Sequence, residues 1–109
     1  MSDVRDRLAA MLADRDDVVT KQMFGATGFM VSGKLAVAAN PAGELLVRVG
    51  AEGLEGLLTR PGAAQARMGE RTMGRGWVMV EARVVADESE LRFWLEEALR
   101  HNAARAAGR

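Results

Sequence analysis

The sequence contains no cysteine and a single histidine, His101. Disulfide bonds, thiolate catalysis and metal sites built from cysteines or several histidines are therefore excluded. No apolar run approaches the roughly 18 residues of a membrane span, and the N-terminus has no signal-like apolar segment. We therefore expect a cytoplasmic protein with no cofactor and no membrane contact.

An excess of charge of either sign is also missing. Fifteen lysines and arginines balance fifteen aspartates and glutamates. This balance removes the global attraction to nucleic acid that a dedicated binder shows, so any such binding must be local. With 109 residues, 49% hydrophobic and 28% charged, the chain has the size and composition of one globular domain, residues 1–109. Its richness in alanine, glycine and arginine is typical of a GC-rich bacterial genome.

The first half of the chain predicts a helix followed by a meander. Apolar residues at helical spacing indicate an amphipathic helix over roughly residues 3–15. Residues 18–31 then predict one long strand, or two short strands broken near Gly25 to Gly28. A tight turn at Ser32-Gly33 leads to a strand over 34–39, and a turn at Asn40-Pro41-Ala42-Gly43 leads to another over 44–49.

The second half predicts a short helix, two strands and a closing helix. Leucines at helical spacing place the short helix between Gly50 and Thr59, and a short fourth strand follows over 64–68. A glycine-rich, arginine-rich loop over 69–76 leads into a strand over 77–85. Asp87 caps the closing helix, which we expect to fray over residues 103–109.

The strand over 77–85 has the clearest alternation in the sequence. Trp77 and Met79 fall on one face together with Glu81 and Arg83. The other face is predicted to pack under Leu91, Leu95 and Leu99 of the closing helix. Its residues are Val78, Val80, Ala82 and Val84.

Four segments together resemble one known family. They are Lys21-x-Met23-Phe24-Gly25 with Gly28, Phe29 and Gly33-Lys34; Glu44 to Val49; Gly74-Arg75-Gly76-Trp77; and Asp87 to Leu99 with its Leu-x-x-Trp. Their order and spacing are similar to those of the N-terminal domain of the TfoX/Sxy family, bacterial regulators of competence genes. The resemblance covers almost the whole chain. Full-length members add a helical domain similar to DNA-binding helix–hairpin–helix units, and we expect the present chain to be a standalone N-terminal-type domain.

The resemblance implies a two-layer α/β (α+β) fold similar to secretion chaperones. One antiparallel five-stranded sheet carries helices, in the order α-β-β-β-α-β-β-α. The resemblance implies a regulatory or protein-interaction role and no enzymatic activity or small-molecule substrate. Met23, Phe24, Gly25, Gly28 and Gly33 are then structural motif residues. The glycines allow a second interpretation as a phosphate loop, but such loops precede a helix, and a hairpin follows here.

The candidate contact residues are Arg67, Arg71, Arg75, Trp77 and Met79. Arginines beside an aromatic ring suit phosphate contact and base stacking, so a small nucleic-acid binder that uses the Arg67–Arg75 loop is the alternative function. An ordinary solvated loop or a protein-contact surface is the other interpretation.

We also expect a homodimer or another protein partner on the uncovered face of the sheet. Trp77 and Met79, with Phe24 or Phe29, would otherwise expose an unusually large apolar area. Alternatively, Trp77 folds back over the sheet edge and covers that area itself.

Overall fold

The computed structural model of the protein describes residues 4–23, 25–68, 71–72 and 76–107. The helices in this part of the chain are α1 (Val4–Met11), α2 (Leu54–Leu58), α3 (Ala82–Val85) and α4 (Glu88–Ala107). The strands are β1 (Val18–Met23), β2 (Ala26–Val31), β3 (Lys34–Ala39), β4 (Leu45–Arg48), β5 (Ala63–Gln65), β6 (Arg67–Met68), β7 (Arg71–Thr72) and β8 (Trp77–Val80). No helix in these ranges is long and apolar enough to cross a membrane.

The predicted two-layer fold is confirmed, with an antiparallel sheet and helices packed against it. The sheet has six strands instead of five, in the order β1-β2-β3-β4-β8-β5, and β6 and β7 form a separate two-stranded ribbon. Residues 18–31 form two strands because the chain turns back at Gly25, where φ is 80°. The predicted strand over 64–68 is divided between the sheet (β5) and the ribbon (β6).

The predicted strand over 77–85 is wrong beyond Val80. Val80 pairs with Leu45 of β4 on one side and with Ala63 of β5 on the other, and both ladders end there. Without a neighbouring strand, the following N–H groups need other partners. The helical turn α3 supplies them, since Val84 and Val85 both donate to the carbonyl of Glu81. Ala82 and Val84 thus lie in a helix and not in the sheet.

The core lies between the sheet and the helices. Val78 and Val80 are fully buried, as predicted, and Leu91 and Leu95 of α4 are buried with them. Leu99 is partly buried against the same cluster. At the centre of α4 lies Trp94, which is wholly inaccessible to solvent. α4 continues to Ala107, beyond residue 103 where we expected fraying to begin.

A side-chain cluster fastens the hairpin between β2 and β3 to the start of β1. Arg15 donates two hydrogen bonds of 3.0 Å to the Asp17 carboxylate, and the Ser32 hydroxyl donates one of 2.7 Å. The Ser32 N–H also donates to the Asp17 carbonyl, at 2.9 Å. The bonds from Arg15 and then Ser32 lower the pKa of Asp17 to about 2.

Two glycines hold the end of β4 against the start of β8. The Val49 N–H donates a 2.7 Å hydrogen bond to the carbonyl of Gly76. The backbones approach so closely that a Cβ atom on Gly76 would lie 2.8 Å from Cα and C of Gly50. On its other side, Gly50 meets the imidazole ring of His101.

Candidate interaction surface

The two faces of the sheet differ sharply in burial along β4 and β8. Leu45 and Val47 are fully buried under the helices, and their neighbours Leu46 and Arg48 are half-buried. Alternation along a strand sends these neighbours to the opposite face. The same alternation in β8 makes Trp77 and Met79 half-buried. Pairing joins Arg48 to Trp77 and Leu46 to Met79, so these four side chains share one face.

We call this second face the open face. One row of cross-strand partners runs along it through all six strands, and in sheet order this row is Lys21, Gly28, Ala38, Leu46, Met79 and Ala64. Only the first member carries a charge. The middle of the row has small residues, whereas Leu46 and Met79 are large. The open face therefore has a shallow floor beside two apolar protrusions.

A small cavity of about 80 Å³ opens on this face beside the protrusions. Leu46 and Met79 form one wall, and Ala38 and Ala26 contribute small side chains. Glu44 is the carboxylate at the cavity, and it accepts a 2.9 Å hydrogen bond from the Asn40 side chain. An aliphatic side chain matches these dimensions and this lining better than a polar ligand does.

Trp77 is anchored on the open face by Arg48. The Arg48 guanidinium lies 5.0 Å from the centre of the indole ring, at cation–π distance. Burial, followed by the charge of Arg105, lowers the pKa of Arg48. Trp77 is thus a half-buried residue beside its cross-strand partner Arg48.

The predicted contact residues are divided between two places. Trp77 and Met79 lie together on the open face, next to Leu46 and Arg48. Arg67 is exposed on β6, and the backbone of Arg71 pairs with Met68 in the ribbon. The side chain of Arg71 and the whole of Arg75 and Phe24 lie outside the described residues. Phe29, predicted as a neighbour of Trp77, is instead buried in the core beneath the helices.

The motif glycines occupy two bends of the chain and one position within a strand. Gly25 turns the chain between β1 and β2, and Gly33 turns it between β2 and β3. Gly28 lies within β2, where its lack of a side chain makes the floor of the open face shallow. The backbone of Met23 pairs with Ala26 at the end of the first hairpin. The structural role of these motif residues stays a prediction.

Arg48 is the residue of this surface that sequence reasoning missed. The alternation of the segment 44–49 was visible, and it puts Leu46 and Arg48 on one face. Their position beside Met79 and Trp77 depends on the pairing of β4 with β8. These two strands are separated by the 28 residues 49–76, and no hairpin signal joins them. No group of three or more metal-binding side chains occurs in the described ranges.

Comparison with known proteins gives a single family. The TfoX N-terminal domain matches residues 10–102, which is most of the chain and includes every strand of the sheet. Searches of curated proteins and of solved structures return no significant match. The matched range contains the motif glycines, the open face and α4 up to residue 102, and the protein is therefore a member of the TfoX N-terminal domain family.

Proposed function

We propose that the protein is a non-enzymatic interaction module in the regulation of competence genes, and that a second copy of the chain binds its open face. The family is associated with competence regulation, which supports the regulatory part of this proposal. The supporting observation for the dimer is the row of mostly apolar cross-strand partners that runs through all six strands. In this proposal the protein acts in the cytoplasm, where it docks onto another protein chain and converts no substrate.

A second copy fits the open face because the face is complementary to itself. A two-fold axis between Ala38 and Leu46 would set the protrusions of one copy, Leu46 and Met79, onto the small-residue floor of the other. Lys21 at one margin and Arg48 at the other would then remain near the rim, where charges are tolerated. Glu44 is the carboxylate beside the protrusions, and the 2.9 Å hydrogen bond from the Asn40 side chain already satisfies one of its oxygens.

The size of the face implies a weak dimer. Six strands spaced by about 4.8 Å, each three to six residues long, give a face of roughly 25 by 10–20 Å. The flat area of this face, about 250–500 Å², is below the roughly 800 Å² that each partner buries in a specific complex of standard size. We therefore expect dissociation in the micromolar range and not a permanent dimer.

Light scattering or sedimentation tests the dimer when the protein concentration is varied over roughly 5–200 μM, a range that brackets the micromolar dissociation constant expected from the interface size. The wild type should approach twice 11.7 kDa at the upper concentrations. Met79→Glu, which puts a charge in the middle of the face, and Trp77→Ala should return the mass to 11.7 kDa. Ala103→Glu, at an exposed position of α4, is the control and should still dimerise. A wild type that stays monomeric throughout, or a Met79→Glu variant that dimerises normally, would refute the proposal.

The alternative function is nucleic-acid binding through the Arg67–Arg75 loop. The ribbon of β6 and β7 stands apart from the sheet and exposes Arg67, which favours this alternative. Anisotropy of labelled single-stranded and duplex DNA between about 50 and 200 mM salt separates the two functions, because phosphate contacts make affinity fall steeply with salt. If the protein binds DNA with submicromolar affinity, if this affinity falls steeply with salt, and if Arg67→Glu weakens it, then nucleic-acid binding is the primary function and the interaction-module proposal is wrong.

A further inference from the structure

β1 is an edge strand of the sheet, and its outer side is unpaired in the described chain. The strand order begins with β1, so β2 is its only neighbour within the described sheet. β1 contains no proline, and it keeps an unbroken register with β2 over all six of its residues. The residues from Val19 to Gln22 are exposed. Natural proteins usually shorten, bend or cover an edge of this kind, because it is a template for pairing with another chain.

The pairing with β2 determines which backbone groups of β1 point outward. The Ser32 N–H donates to the carbonyl of Asp17, and these two residues continue the register of β1 with β2. Hydrogen-bonded pairs alternate along an antiparallel ladder, so Val19 and Lys21 also bond to β2. The residues between them direct their N–H and carbonyl groups away from the sheet, and they are Val18, Thr20 and Gln22. No N–H of these three residues donates to a backbone carbonyl outside the sheet in the described ranges.

The side chains of Val19 and Lys21 lie on the open-face side of this edge. Val19 is 64% exposed and is the exposed large apolar side chain of the described ranges. Lys21 forms no ion pair with any described residue. With an added antiparallel strand, both would form non-hydrogen-bonded pairs, in which opposite side chains come closest. An aliphatic residue opposite Val19 and a carboxylate opposite Lys21 are therefore the favoured neighbours.

We propose that the edge of β1 binds an extended segment of a partner protein, in which a glutamate or aspartate precedes a valine or isoleucine by two residues. The segment runs antiparallel to β1, so its acidic residue lies opposite Lys21 and its aliphatic residue lies opposite Val19. Backbone hydrogen bonds to the outward groups supply affinity, and the two side-chain pairs supply specificity, as in other cases of β-strand addition.

A second copy of the chain suits this edge less well than a partner protein does. When two β1 strands pair around Val19, the carboxylate opposite Lys21 is that of Asp17. This carboxylate already accepts two hydrogen bonds from Arg15 and one from Ser32. Arg15 would also bring a second cation close to Lys21. A partner segment with a free carboxylate avoids both costs.

The edge site goes beyond the open-face dimer and does not rest on it. The edge uses outward backbone groups of β1, whereas the dimer uses the protrusions Leu46 and Met79 of β4 and β8. Met79→Glu is expected to abolish the dimer and leaves β1 unchanged. Measurements in this variant therefore test the edge alone.

Amide hydrogen exchange, followed residue by residue by NMR in Met79→Glu, tests the geometry of the edge. Without a peptide, the N–H groups of Val19 and Lys21 should exchange slowly, and the outward N–H groups should exchange quickly. The probe is the peptide Thr-Thr-Glu-Thr-Val-Thr-Thr, with its glutamate opposite Lys21. At nine-tenths saturation the peptide should slow exchange of the outward groups about tenfold, because exchange then proceeds through the free fraction.

Two results of this experiment would overturn the proposal. One is exchange of the outward N–H groups that the peptide leaves unchanged. The other is slow exchange of these groups without peptide at high protein concentration, which becomes fast on dilution. That second result would assign the edge to another copy of the chain.

Two N-methylated peptides supply a matched control for the backbone hydrogen bonds. In the bound peptide, the N–H of the central threonine points toward Thr20, whereas the N–H of the following valine points away from β1. Methylation of the threonine nitrogen should weaken binding about tenfold, and methylation of the valine nitrogen should have little effect. Equal losses for the two peptides would show that no strand is added in this register, and the proposal would be wrong.

Charge exchange tests the role of Lys21, with affinities measured by fluorescence anisotropy of the labelled peptides. Lys21→Glu should bind the glutamate peptide about fivefold more weakly and should prefer a peptide with lysine in place of glutamate. Arg92→Glu, which reverses an exposed charge on α4, is the control and should bind both peptides as the wild type does. Circular dichroism establishes that each variant is folded. If Lys21→Glu also binds both peptides as the wild type does, the proposed partner chemistry is refuted.

Discussion

Gly76→Ala should be among the most damaging single-methyl additions in this protein. Gly76 has φ of 100°, in the left-handed region where an L-residue costs about 1–2 kcal/mol. The new Cβ would also lie 2.8 Å from backbone atoms of Gly50, which cannot rotate away as a side chain can. Separation of the two segments would weaken the 2.7 Å bond from the Val49 N–H, worth about 0.5–1.5 kcal/mol. These effects together predict that Gly76→Ala lowers the free energy of unfolding by about 3 kcal/mol or more.

Gly33→Ala is the matched control for this substitution. Gly33 also has a positive φ, 83°, but its added Cβ would meet nothing within 4 Å. The free energy of unfolding of Gly33→Ala should therefore fall only by the cost of the left-handed backbone conformation, about 1 kcal/mol. Urea unfolding followed by tryptophan fluorescence measures both variants, and a typical denaturant slope converts 3 kcal/mol into a midpoint lower by about 1–3 M. Equal losses in the two variants would show that the contact between Gly76 and Gly50 adjusts freely, which would refute the reasoning.

Two further predictions concern the core and the hairpin anchor. Leu95→Ala should lower the free energy of unfolding by about 2–5 kcal/mol, because Leu95 is buried in the core; a loss below about 1 kcal/mol in urea unfolding would contradict its placement. Asp17→Asn should destabilise the protein at neutral pH and have progressively less effect under acid. The pKa of Asp17 is lowered in the folded state to about 2, so its carboxylate stabilises the fold above pH 3.8 and loses this effect as pH falls through about 2. Thermal unfolding of both proteins between pH 7 and pH 2 checks this, and a stability difference that persists unchanged at pH 2 would argue against it.

The local parts of the fold were predictable from the sequence. The turn at Ser32-Gly33 and the strand over 34–39 follow from turn chemistry and short-range pattern, and both are present. The alternation that buries Val78 and Val80 also holds. The prediction that this strand extends to residue 85 was wrong. The strand ends at Val80 because its neighbours β4 and β5 end there, and the local sequence contains no information about those neighbours.

The candidate surfaces were predictable only in part, for the same reason. Trp77 and Met79 were assigned to the open face from their own strand. Their neighbours Leu46 and Arg48 come from another strand, and His101 meets Gly50 across about half the chain. The periodicity of apolar residues predicts which face of its own strand or helix a residue occupies. Which elements become neighbours depends on long-range pairing, which a single sequence does not reveal.

The position of β8 between β4 and β5 also affects the order in which the sheet can form during synthesis. β1 to β4 are consecutive neighbours, so they can pair as soon as they leave the ribosome. β5 follows them in the chain, but it has no place in the sheet until β8 arrives, because it pairs only with β8 in the described topology. The edge of β4, with Leu45 and Val47, therefore stays unpaired while residues 49–76 are made. An unpaired apolar edge is a template for association between chains, so a nascent chain is most at risk of aggregation during this interval.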